Sequence, residues 1–91
     1  MEQSYNLFFR YSCGALGFLC GFDSEFGTPI VGFGFDEAFP PKEYSFGMAE
    51  RMAEQIAESG IEQGCAIEVI PAFMFMDHFF GGRGKLAIPS R

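Results

Sequence analysis

The chain has 91 residues, of which 12 are acidic and six basic, for a net charge of −6. That length makes one domain, residues 1–91, and a domain this small buries only about 60 % of the surface its unfolded chain exposes. So few Lys and Arg exclude a direct nucleic-acid binder and argue against docking on an anionic membrane, whereas a protein partner with a basic surface is compatible.

Tyr5 to Tyr11, YNLFFRY, alternates Tyr5, Leu7, Phe9 and Tyr11 with Asn6, Phe8 and Arg10. This period of two predicts a strand with one mostly buried face. After the turn at Ser12–Gly14, Ala15 to Asp23 puts Leu16, Phe18, Cys20 and Phe22 on one face and Ala15, Gly17, Leu19 and Gly21 on the other. The two strands should form an antiparallel hairpin. Loop SEFGTP leads to a third strand, Ile30 to Phe35, again with a bulky and a glycine-rich face. The smooth faces predict close packing of a helix or a strong curl of the sheet.

Asp36 to Tyr44 is a connector broken by Pro40 and Pro41. Ser45 is an N-cap signal and Gly60 a C-cap signal, and they bracket the strongest helix pattern in the chain. Met48, Met52 and Ile56 form its apolar stripe, flanked by Ala49, Ala53 and Ala57. Cys65 to Ile70 is a fourth strand ending at Pro71, and AFMFMDHFF (Ala72 to Phe80) alternates like a fifth, apolar on both faces. Gly81–Gly84 follows as a turn, with a short final strand at Lys85–Ile88. The expected fold is α+β, an antiparallel sheet of four to five strands with one helix on a face, in the order β-β-β-α-β-β.

No nucleotide-binding loop survives inspection. In HFFGGRGKL the position of the first P-loop glycine is Phe79 and Leu86 follows the lysine, while GFGFDE lacks the third glycine of a dinucleotide motif. Cys13, Cys20 and Cys65 have no zinc spacing, and His78 is the only histidine. No cofactor or metal is expected, and His78 is read as structural or surface. The carboxylates Asp23, Glu25, Asp36 and Glu37 fall in two acidic loops inside the near-repeat GFDSEF and GFDEAF. Neither loop has the oxygen-ligand series of a calcium site.

Two surfaces remain. Glu50, Glu54 and Glu58 recur every fourth residue along one helix stripe, with Glu62 just beyond, and form an acidic ridge for a basic partner. Phe73, Met74, Phe75, Met76, Phe79 and Phe80 form a Phe/Met patch suited to a partner or a homodimer. The expected function is a small non-enzymatic protein-binding module. Short, acidic and free of motifs, the chain resembles phage-encoded inhibitors of host nucleic-acid machinery, the anti-CRISPR proteins among them, in size and charge alone. That resemblance implies a host cytoplasm and a target whose basic nucleic-acid-binding surface is blocked. The rival expectations are a small-molecule pocket lined by Phe18, Phe33 and Phe35, and a homo-oligomeric assembly subunit. The absence of a recognisable leader or of a long apolar run points to a cytoplasmic chain.

Overall fold

A computed structural model describes residues 3–60 and 64–87. Its elements are β1 (Tyr5–Tyr11), β2 (Leu16–Phe22), β3 (Pro29–Gly32), α1 (Phe46–Ser59), β4 (Cys65–Pro71) and α2 (Phe75–Ala87), with a single 3-10 turn at Ala72–Met74. The four strands form one antiparallel sheet in the order β3-β2-β1-β4. The class is therefore α+β, with β-β-β-α-β-α in place of the expected β-β-β-α-β-β and two helices in place of one.

The difference lies in residues 72–87. Read as strands, Ala72–Phe80 and Lys85–Ile88 would extend the sheet; instead Lys85–Ala87 closes α2, and Ile88 lies outside the described residues. Pro71 ends β4 and opens the 3-10 turn with φ −56° and ψ 139°. From there Phe75 and Phe79, one helical turn apart, drop onto the sheet. The expected glycine turn at Gly81–Gly84 is also helical.

The sheet makes this second helix necessary. Leu7, Phe8 and Phe9 are consecutive and all fully buried, so β1 hides both of its faces rather than one. Leu7, Phe9 and Leu19 pack under Ala49 and Ile56 of α1, while Phe8, Leu16, Phe18 and Cys20 pack under Phe75 and Phe79 of α2. A bare second face would expose several large rings to water, at about 1.5–3 kcal/mol each. The sheet is thus the middle layer of three.

α1 runs as its caps dictate. The Ser45 hydroxyl accepts a bond from the Met48 N–H, and Gly60 closes the helix in the left-handed region at φ 73°. Its buried stripe is centred on Ala49 and Ile56 with Met52 and Ala53 half-buried, so Met48 and Ala57 fall at the exposed margins.

The glycine-rich strand faces are filled from within the sheet. A Cβ on Gly17 would lie 2.5 Å from Val31 Cγ1 and 2.9 Å from Phe33 Cε1. One on Gly32 would lie 2.9 Å from Cys20 Sγ and 3.0 Å from Phe18 Cε1. Large side chains of the neighbouring strand lean over each glycine, so neither a helix nor a ligand is required there. Between β2 and β3 the register shifts at Leu19/Gly21. The extra residue of this bulge flips Phe22 away from Leu16 and Phe18 and places it beside Met52 and Ile56 of α1.

Beyond the bulge β1 and β2 part, and the connector fills the gap. Lys42 N–H donates to Leu19 O (2.9 Å), Asn6 Nδ2 donates to Lys42 O (2.7 Å), and Tyr44 and Tyr5 exchange two backbone bonds. Asn6 is 2 % exposed, which explains a buried amide in an apolar sheet: it holds the connector's carbonyl.

Candidate functional site

The acidic stripe keeps its helical geometry. Glu50, Glu54 and Glu58 are all exposed on α1 and carry no ion pair or hydrogen bond to any described residue. Glu62 lies outside the described residues. Glu58 faces the negative end of the helix dipole, and no basic residue occupies the last turn to offset it. The stripe therefore stands as an anionic edge, offset in part by Arg51, three residues before Glu54.

That edge borders a groove. Between α1 and β4 lies an open trough of about 480 Å³, lined by Ala53, Glu54, Ala57, Gly60, Gly64, Cys65 and Ile67. α1 packs over β1 and β4 and presents Ala53 and Ala57 to this flank with Glu54 at its rim, so the short side chains leave space between the helix and the strand. Among the described residues Glu54 is the one charged side chain in the lining. The apolar stripe was legible as the inward face of a helix. The groove was not, because it depends on where α1 crosses the sheet.

The Phe/Met segment divides in two. Phe75 and Phe79 are core residues at 8 % and 1 % exposure, whereas Phe73, Met74, Met76 and Phe80 are exposed. The buried pair sits in a cluster of rings: Phe79 lies 5.5 Å from Phe18 and 5.9 Å from Phe75, and Phe35 covers it at 5.4 Å. The exposed members lie on the α2 side of the sheet and the acidic ridge on the α1 side. These two surfaces are not neighbours, and one flat partner face cannot cover both. Phe18 and Phe35 stack on the α2 side, while Phe33 lies against Tyr11 on the α1 side, so the three rings do not line a common pocket.

The two acidic loops are built alike and lie apart. Asp23 Oδ1 accepts from Glu25 N–H at 2.6 Å and from Phe26 N–H at 3.3 Å; Asp36 Oδ1 accepts from Ala38 N–H at 3.0 Å. Each aspartate closes its own turn, which explains the shared letters of GFDSEF and GFDEAF. Because β2 and β3 are antiparallel, their exits point to opposite ends of the sheet. Asp23 and Glu25 therefore do not join Asp36 and Glu37 in one rim.

A half-buried ion network joins β1, β4 and α2. Glu68 on β4 accepts from Arg10 Nε on β1 at 3.0 Å and meets His78 Nε2 on α2 at 2.7 Å. Burial pushes the Glu68 carboxyl up, but the hydrogen bonds and positive charges of Arg10 and His78 outweigh it and leave the group below the usual carboxylate range. The His78 ring also packs edge-on to Phe8 at 4.7 Å. The network pins α2 to two strands. Its one sequence signal is Glu68 itself, the lone charge in CAIEVI.

The three cysteines form no disulfide, and burial raises the Cys20 thiol above its ordinary value. Among the described residues no cluster of His, Cys, Asp or Glu could hold a metal ion, and no helix is long and apolar enough to cross a membrane. No family model, curated protein or solved structure matches the chain.

Proposed function

We propose that the protein is a non-enzymatic binding module whose α1 ridge engages a basic surface of another protein. The observation that carries this reading is the stripe Glu50–Glu54–Glu58, exposed and without an ion pair to any described residue, with Glu54 on the rim of an open groove. Like charges at this spacing destabilise a helix by about 0.2–0.5 kcal/mol per pair, and a cationic partner would relieve that repulsion. The finer form of the reading is occlusion of a nucleic-acid-binding surface, in the manner of phage-encoded inhibitors of the anti-CRISPR type. It is supported by size, net charge and the spacing of the carboxylates.

The test is a captured partner's response to three changes. Binding should weaken steeply with salt, disappear in the triple variant Glu50→Lys/Glu54→Lys/Glu58→Lys, and compete with duplex DNA. A partner that ignores all three refutes the ridge.

A second reading has its own observation. Phe73 in the 3-10 turn and Met76 and Phe80 on α2 are exposed, with Phe73 at 77 %. This surface suits self-association. A molecular weight in sedimentation that stays monomeric across a wide concentration range would remove it.

A further inference from the structure

A knob and a hole lie side by side where α1 passes the loop between β2 and β3. The hole is a notch of about 130 Å³ walled by Phe22, Pro29, Met52 and Ile56, with the exposed Gln55 at its margin. An apolar cavity of about 150 Å³ holds one benzene ring, so the notch has the size of a single phenyl group. The knob is Phe26, 77 % exposed and next in sequence to Gly27, which also lines the notch. Its turn is closed from within. Asp23 N–H donates to Thr28 O at 2.8 Å and Gly27 N–H to Asp23 O at 2.7 Å, while Asp23 Oδ1 accepts from the N–H groups of Glu25 and Phe26. Gly27 takes the left-handed φ of 70° that lets the chain turn back. With these bonds in place the ring stands outside its own notch, on a backbone that loses little freedom when the ring docks.

We infer that a second copy of this chain completes the notch: the Phe26 ring of each copy enters the notch of the other, and Glu25 of each pairs with Arg51 of the other. A knob and a hole on one surface are self-complementary, because a twofold axis running between them lays each ring over the facing notch. One contact then brings the second with it. A foreign side chain could fill the notch, but it would leave Phe26 in water; only a second copy removes both apolar features at once. The ring is an aromatic anchor entering a pocket its own size, which is how small interfaces concentrate their affinity.

Two chains that each carry −6 must also bring opposite charges together where they meet. Glu25 is the exposed carboxylate beside the knob. Arg51 stands one helical turn before Gln55 on the notch flank of α1, exposed and without an ion pair to any described residue. Knob and hole thus carry charges of opposite sign. Glu54 lines the trough on the other flank of α1, so this pairing leaves the acidic ridge open to a different partner.

Sedimentation equilibrium of the full chain should show monomers and dimers exchanging over the roughly micromolar-to-millimolar range, as suits a contact at the small end of specific interfaces. Phe26→Ala, on an exposed turn position, should weaken association about tenfold or more and leave the melting temperature in place. Gln55→Trp, which fills the notch from an exposed helix position, should do the same with Phe26 intact. Arg51→Glu should weaken the dimer about fivefold, because two surface ion pairs are lost together. Adding Glu25→Arg to it should restore the native affinity, and that exchange keeps the net charge at −6. In a mixture of isotope-labelled and unlabelled chains, filtered NOEs should connect the Phe26 ring to the Met52 and Ile56 methyls. A chain that stays monomeric at roughly millimolar concentration overturns the inference. So does a dimer indifferent to both Phe26→Ala and Gln55→Trp. A dimer abolished instead by Phe73→Glu and Met76→Glu would assign self-association to the α2 side and overturn it as well. A double exchange no tighter than Arg51→Glu alone would strike the Glu25–Arg51 pairing from the interface.

Discussion

Phe73 and Phe79 test the architecture most directly. In a strand through Ala72–Phe80 they would lie on the same face, together with Phe75. With Phe73 in the 3-10 turn and Phe79 in α2 they separate: Phe73 is 77 % exposed and Phe79 only 1 %. Phe79→Ala removes a ring enclosed by Phe8, Phe18, Phe35 and Phe75. Truncation of a buried Phe costs about 3–5 kcal/mol through lost transfer energy and the cavity left behind. In a domain of this size 1 kcal/mol moves the melting temperature by roughly 4–8 °C, so a fall of more than about 12 °C is expected. Phe73→Ala should stay within about 0.5 kcal/mol of the native chain. Urea unfolding followed by far-UV circular dichroism gives both numbers, and Phe79→Leu provides a milder variant if Phe79→Ala fails to fold. Equal losses at positions 73 and 79 would refute the helix and restore the strand.

Three further outcomes follow from particular contacts. Because the folded Glu68 carboxyl is depressed, its contribution is present above the unfolded value of about 4.3 and is lost as pH falls through the lower folded value. Urea midpoints measured below about pH 4.3 should therefore drop more steeply for the native chain than for Glu68→Gln. Gly17→Ala should destabilise by about 1–3 kcal/mol, since its Cβ meets Val31, Phe33 and the Gly32 carbonyl, whereas Gly34→Ala, with open space around it, should fall within about 0.5 kcal/mol in thermal melts. Asn6→Ala removes the part-buried bond to the Lys42 carbonyl and should cost about 0.5–1.5 kcal/mol, with faster amide exchange at Lys42 and Tyr44 as the local signature.

The elements whose signals are local were legible without coordinates. The alternation of YNLFFRY marked β1, and Ser45 and Gly60 marked both ends of α1 because caps satisfy backbone groups one turn away. The stripe Glu50–Glu54–Glu58 was equally plain, since spacing by four is spacing along one helix face. Residues 72–80 were not. Phe75 and Phe79 are an even number of positions apart and also one helical turn apart, so the same letters satisfy both periods. What chose the helix was the far side of the sheet, where Phe8, Leu16, Phe18 and Cys20 need a cover that an added edge strand could not give. Likewise the sequence alone showed that Gly17 and Gly32 make smooth patches, but only the register of β2 against β3 determined that Val31, Phe33, Phe18 and Cys20 fill them. The acidic ridge was written in the chain; the groove it borders exists because α1 and β4 come together in the packed fold. Spacing sets what lies on one face of one element, and packing alone decides which faces meet.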